Sequence, residues 1–176
     1  EQKLQPEKAS QIGIATGGSD PQGVLLILYK LIDHHAFQDV SFTYFYGSDF
    51  LHKDQIPELP EGKVTFAPFD QLRMQSMDVI ISTFGVSTYE FMYQGLPILS
   101  VGQQAANAEA SRKVAEQTHG LIDLGLIDDL SMSQLNHTLK QIIIDVKQRT
   151  ALSENAIQAI DAQGRDRVAR ILTSLA

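Results

Sequence analysis

The sequence contains no cysteine. That excludes a disulfide scaffold, cysteine-ligated zinc and a thiol nucleophile. No apolar run reaches the ~18 residues that a membrane-spanning helix requires. The opening stretch EQKLQPEKAS is polar, unlike a secretory leader. No cluster of Lys and Arg interrupts a net charge of -7, so the basic footprint of a nucleic-acid binder is missing. The histidines, His34, His35, His52, His119 and His137, show no metal-ligand spacing. Neither a G-x-S-x-G elbow nor a P-loop lysine pattern occurs. No repeat with a period of about 20 to 50 residues is present. The expectations are therefore no metal, no cofactor, no nucleic-acid partner, no transmembrane segment and a cytoplasmic location. A negative chain can still hold an anionic small ligand, because helix N-termini bind phosphate without net positive charge.

What is present is an ordinary globular composition. The 176 residues are 43% hydrophobic and 20% charged, which fits one domain with a real core. Short apolar runs alternate with helical patterns. Strands are expected at Ile12 to Thr16, Val40 to Tyr46, Val64 to Phe66, Asp78 to Ser82, Pro97 to Val101 and, at an edge, Leu121 to Leu124. Helices are expected from Pro21 to Asp33, Asp70 to Met77, Gly85 to Gln94 (closed by Gly95), Ala105 to Thr118 (closed by Gly120), Ser131 to Gln148, and Thr150 to the end with a break at Gly164. Gly47 to Gly62 holds two prolines and reads as a loop. This alternation predicts an α/β fold, a Rossmann-like parallel sheet of about six strands with helices on both faces. The His34-His35 pair at a helix end reads as a surface feature. In the helical tail, Ile142, Ile143, Val146, Leu152, Ile157, Ile160, Val168 and Ile171 read as packing against the sheet or a neighbouring domain.

Such sheets bind ligands where strands end and helices begin. Three segments lie there. Gly17-Gly18-Ser19-Asp20-Pro21 lets the backbone turn sharply and approach a ligand, and its helix would aim free N–H groups at an anion. The same residues also fit a plain turn with Asp20 as N-cap. Ser82-Thr83-Phe84-Gly85-Val86-Ser87-Thr88-Tyr89-Glu90 offers backbone amides and two hydroxyls for a phosphate, and Glu90 could accept two ribose hydroxyls. Ser87 and Glu90 also fit a capping box, which would only tie off the helix. Gln103-Gln104-Ala105-Ala106-Asn107-Ala108 carries amides that can bond a sugar ring, or simply a polar helix start.

In this order the segments resemble the C-terminal domain of GT-B type enzymes. The nearest likeness is the group that contains the UDP-sugar hydrolase of pseudaminic acid synthesis and the related spore-coat polysaccharide protein. The N-acetylglucosaminyltransferase of peptidoglycan lipid II synthesis is similar at a greater distance. The motifs that carry the likeness are the Gly17 to Pro21 turn, Met74 to Ile81 leading into Ser82 to Glu90, Gly95-Leu96-Pro97, Gln103 to Ala108, and the close Asp161 to Val168. The resemblance implies a nucleotide-sugar-binding domain at 11–176, with 1–10 a linker and an N-terminal catalytic half absent. The starting residue, Glu1 rather than Met, fits a chain cut from a longer one or processed. It implies that Gly17, Gly18, Ser19 and Asp20 face a diphosphate together with Ser82, Gly85, Ser87 and Thr88. Glu90 would hold the ribose. The stretch Ala67 to Phe69 would present backbone to uracil, with Phe69 in the site. Gln104 and Asn107 would face the sugar or diphosphate.

Two departures stand out. Phe84 replaces the first glycine of a pair, and Gln103 replaces the usual Asn. The glycine-rich loop that carries the hydrolase group's catalytic histidine has no counterpart here, so no catalytic residue is assigned. The expected function is to hold a UDP-sugar for hydrolysis or transfer in surface polysaccharide synthesis. The alternatives are a non-catalytic nucleotide-sugar-binding or assembly module, favoured by Phe84, and one chain of a split glycosyltransferase. A sugar-nucleotide epimerase of the same fold would need acidic and histidine groups that have no place in this pattern.

Overall fold

A computed structural model describes residues 4–60 and 62–174. Six strands form one parallel sheet: β1 (Gln11–Ala15), β2 (Ser41–Tyr46), β3 (Val64–Pro68), β4 (Val79–Thr83), β5 (Ile98–Gly102) and β6 (Ile122–Leu126), in the order β3-β2-β1-β4-β5-β6. The helices are α1 (Val24–Leu31), α2 (Gln71–Gln75), α3 (Val86–Tyr93), α4 (Ala105–Thr118), α5 (Met132–Ile144), α6 (Val146–Ala159) and α7 (Gly164–Ser174). The alternation of strands and helices thus gives the α/β fold expected, with helices on both faces.

Side chains alternate across each strand, so each strand feeds two cores. Ile12, Ile14, Val79, Ile81, Leu99 and Val101 point to one face, where Val24, Leu25 and Leu28 of α1 and Leu135, Leu139 and Ile142 of α5 cover them. Ala15, Phe45, Ile80 and Ile98 point to the other, under Met74 of α2, Phe91 and Met92 of α3, and Ala156 of α6. Gly13 leaves room for Met77, whose Cγ would lie 2.8 Å from an added Cβ. The strand order reverses direction at β1, whose neighbours are β2 and β4. The C-terminal ends of β1 and β4 therefore open side by side into a crevice, the place where sheets of this order take ligands.

Several local expectations are corrected. α1 starts at Val24, not Pro21, because Asp20 and Gly23 take left-handed backbone (φ 40° and 67°) and Pro21-Gln22 form a turn. The helix expected to run to Gln148 breaks at Asp145, whose carboxylate accepts from the Gln148 amide and starts α6 there. The break leaves the Ile142 and Ile143 carbonyls free to accept from the buried Arg149 guanidinium at 2.6 and 2.7 Å. The left-handed residue that ends α4 is His119 (φ 51°), not Gly120. Gly120 is required for close packing, since a Cβ there would meet Ala156 Cα at 2.8 Å. His34 is not a surface feature: it is half-buried, and its Nε2 lies 2.8 Å from the Tyr44 hydroxyl. Of the tail residues expected to pack against the sheet or a neighbouring domain, Ile142, Ile143 and Leu152 are in the core and Val168 and Ile171 are exposed on α7.

The stretch expected to be a linker is attached to the domain over its described part. Ala9 is fully buried and its amide donates to the Ile143 carbonyl, and Arg149 donates to the carbonyls of Pro6 and Glu7. Asp78 accepts from the Ser10 and Gln11 amides, which sets the start of β1 beside β4. Residues 1–3 of that stretch, and 175 and 176 of the expected domain, lie outside the described residues. No described helix is long and apolar enough to cross a membrane.

Candidate functional site

The turn after β1 is shaped by Gly17, at φ 92°, where a side chain would be strained. Gly17, Gly18 and Ser19 are exposed. Asp20 is buried and turned inward: its carboxylate accepts from the Thr16 hydroxyl at 2.8 Å and from the Val24 and Leu25 amides at 2.9 and 2.8 Å. It caps α1 across the turn, so its negative charge neutralises that helix start instead of facing a ligand. The α1 amides expected to meet an anion are thus already engaged.

A second wall follows β2. Gly47 lies so close to Gly18 that an added Cβ would sit 2.2 Å from the Gly18 carbonyl oxygen. The Leu51 amide donates to the Ser19 carbonyl at 3.2 Å, and His52 Nε2 donates to the Pro21 carbonyl at 3.1 Å. These contacts bring a short 3-10 turn, Lys53–Gln55, to the rim. After β3, the Phe69 amide donates to the Tyr46 carbonyl at 2.8 Å. That amide is therefore not free to read a base, whereas the Phe69 ring is 45% exposed beside Phe45.

The third wall is the β4–α3 junction. Ser82 is buried at the strand end and its hydroxyl has no hydrogen-bond partner. The capping expected of Ser87 and Glu90 belongs to other residues: Gly85 is the N-cap, and the Thr88 hydroxyl accepts from the Gly85 amide at 3.1 Å. Thr88 is buried in that role, whereas Ser87 and Glu90 are exposed. Phe84 does not plug the crevice. Its ring is buried in the core of that face, 5.8 Å from the Tyr89 ring. On the β5 side, Gln103 Nε2 donates to the Thr16 carbonyl at 3.2 Å and Asn107 Nδ2 to the Phe84 carbonyl at 3.4 Å. Both amides brace the two turns from behind, and Gln104 is exposed at the start of α4.

Together the three walls enclose a cavity of about 570 Å³, within the range of small-molecule sites. Of the residues singled out in the sequence, Gly17, Gly18, Phe69, Ser82, Gly85 and Ser87 line it. Ser19, Asp20, Thr88, Glu90, Gln104 and Asn107 do not, although Glu90 lies one turn beyond Val86, which does. The sequence reading missed Phe45, Tyr46, Gly47, Ser48 and Lys53. The rule that pointed to Gly17 also points to Gly47, which directly follows a strand. Among the described residues that line the cavity, Lys53 is the one charged side chain, and no carboxylate or imidazole is present. No group of three or more metal-ligating side chains occurs among the described residues. The site has backbone amides at the start of α3, an unpartnered hydroxyl and one ammonium. It is suited to an anion.

No family model matches the chain. It is similar to the spore coat polysaccharide biosynthesis protein SpsG of Bacillus subtilis (strain 168), with 26% identity over 168 residues that cover 92% of this chain and 49% of that protein. Among solved structures it resembles the glycosyltransferase SnogD from Streptomyces nogalater, with TM-score 0.63 and 22% identity, over 98% of this chain and 45% of that one. It also resembles the spinosyn rhamnosyltransferase SpnG complexed with thymidine diphosphate, with TM-score 0.66 and 17% identity, over 93% and 46%. The chain spans about half the length of each of these proteins.

Proposed function

We propose that this chain, which has the fold of the C-terminal half of a GT-B glycosyltransferase, grips the nucleotide of a UDP-linked sugar. The observation that carries this reading is one anion-suited cavity where the ends of β1 and β4 meet. The likeness to a protein complexed with thymidine diphosphate supports a nucleoside diphosphate, and uracil is the base proposed. The diphosphate lies between Gly17-Gly18 and the start of α3, where the Ser82 hydroxyl gains a partner. Glu90 accepts the ribose hydroxyls. Phe69 offers its ring to the base.

The reaction breaks the anomeric C–O bond and releases UDP. Charge develops on the leaving diphosphate, and the α3 amides are already oriented toward it, so little reorganisation is needed as the bond breaks. The attacking oxygen, from water or a hydroxyl acceptor, and the acid or base that serves it come from a second domain. A cavity whose described lining residues carry no carboxylate or imidazole supports that assignment. Similarity to proteins about twice as long supports it as well. The similarity to a spore coat polysaccharide protein supports a role in surface polysaccharide synthesis.

Isothermal titration of the 176-residue chain with UDP tests the reading. Binding is expected, with no turnover of a UDP-sugar. Glu90→Ala should weaken UDP roughly five- to tenfold, the loss of one or two hydrogen bonds to a charged group. Its melting temperature should not change, because Gly85 and Thr88 cap the helix without it. Absence of binding at millimolar UDP defeats the proposal.

A further inference from the structure

We infer that Lys53 is the cation that grips the diphosphate, held over the cavity by a loop that the Gly17–Gly18 turn itself anchors. This rests on the nucleotide-sugar reading above and adds to it the residue that selects for charge.

Lys53 is the charged side chain in the lining, and no acid among the described residues there competes for it. The chain as a whole carries a net charge of -7. A dianionic or trianionic ligand entering such a protein is repelled at long range, so a local cation at the rim counts for more. The other anion-binding groups, the α3 amides and the Ser82 hydroxyl, are uncharged.

The backbone that carries Lys53 is fixed by the two residues before it. The Leu51 amide holds the Ser19 carbonyl, and His52 holds the Pro21 carbonyl. Gln55 supports His52 from the other side, with its Nε2 3.3 Å from His52 Nδ1. Gly47 packs directly on Gly18, so the loop and the turn form one wall. Lysine on a free loop would lose much conformational entropy on gripping a ligand, whereas here the backbone part is already fixed.

The ammonium of Lys53 lies 5.2 Å from the centre of the Tyr46 ring. Among the described residues it has no carboxylate partner within ion-pair distance. An exposed cation–π contact is weaker than a charge-assisted hydrogen bond to phosphate. Tyr46 thus holds the ammonium at the mouth of the cavity without trapping it, and a diphosphate takes it over.

Titration of the 176-residue chain with UDP, UMP and uridine, at low and moderate salt, tests this for the wild type, Lys53→Gln and Lys53→Arg. Lys53→Gln should weaken UDP about tenfold, leave uridine unchanged and fall between for UMP. It should also flatten the salt dependence of UDP binding. Lys53→Arg, which keeps the charge, should stay within about threefold of the wild type. All three should melt alike, because the side chain is exposed. Equal UDP affinity in the wild type and Lys53→Gln overturns the inference and leaves the nucleotide-sugar reading standing. Equal losses for UDP and uridine overturn it too, since Lys53 would then act on the loop and not on phosphate. A wild type that binds no UDP at millimolar concentration ends both.

Discussion

Gly47→Ala should loosen the wall shared by the two loops that flank the cavity. The added Cβ would lie 2.2 Å from the Gly18 carbonyl oxygen, 2.4 Å from Gly18 Cα and 2.6 Å from its carbonyl carbon. These are backbone atoms, so no side chain can swing aside. Restoring ordinary contact moves one loop by about 1 Å, and overpacking of this kind costs about 1–3 kcal/mol. For a domain of this size each kcal/mol lowers the melting temperature by about 2–4 °C, so the expected drop is roughly 2–12 °C. The same movement strains the 3.2 Å hydrogen bond from Leu51 to Ser19 and displaces both Lys53 and Gly18 from the cavity. UDP affinity should therefore fall about tenfold or more, in line with the penalty for ångström-scale misplacement of binding groups. Gly18→Ala is the control for stability: its added Cβ meets no protein atom within 4 Å, and its backbone is not left-handed. Calorimetry and titration of both variants give the answer. A Gly47→Ala protein that melts and binds UDP like the wild type would show that the two loops are not a coupled wall. A lower melting temperature with unchanged UDP binding would show that the contact is structural and does not set the site.

Two further outcomes concern stability. Arg149→Met should cost about 1–3 kcal/mol, because the buried Ile142 carbonyl loses its donor, whereas the Ile143 carbonyl keeps the Ala9 amide. Chemical denaturation measures it; a loss below about 0.5 kcal/mol, the range of ordinary surface changes, would refute the role given to the guanidinium. His34 is held below its ordinary value of 6.5, chiefly by burial and secondarily by the charge of His35, with Asp33 opposing. The unfolded chain therefore binds the His34 proton first as pH falls. Stability is full above 6.5 and is lost as pH drops below it toward the lowered folded value. His34→Gln, which does not titrate, should show a shallower fall in melting temperature between about pH 7.5 and 5.5. An identical slope in both proteins would count against it.

Strand ends are legible in the sequence, whereas loops that fold back onto them are not. Gly17 and Ser82 stand out because they follow or close an apolar run, and Gly85 and Ser87 because they open the helix after one; these are local features. Lys53 does not stand out, because six residues separate it from Tyr46, the end of β2, inside a loop without periodicity. Asp20 was read as facing the ligand. A carboxylate beside a helix start serves the helix or an anion's surroundings equally well on paper, and only its bonds from Thr16, Val24 and Leu25 in the fold decide for the helix. Ser87 with Glu90 fits the capping pattern in spacing, yet the chain enters α3 two residues earlier, at Gly85, and Thr88 takes the role.

By itself, the order of residues fixed the alternation of strands and helices, the two-sided core and the positions of the turns. Those follow from side-chain direction over a few neighbours: period two in Ile12 to Ala15 and Val79 to Ser82, and glycine where the backbone must reverse. Tertiary structure alone decided that β1 lies between β2 and β4, so that Gly18, Gly47, Lys53, Ser82 and Gly85 meet around one cavity. That outcome depends on which strand ends become neighbours when two hydrophobic faces are covered at once. Contacts between residues this far apart along the chain leave no periodic trace in it.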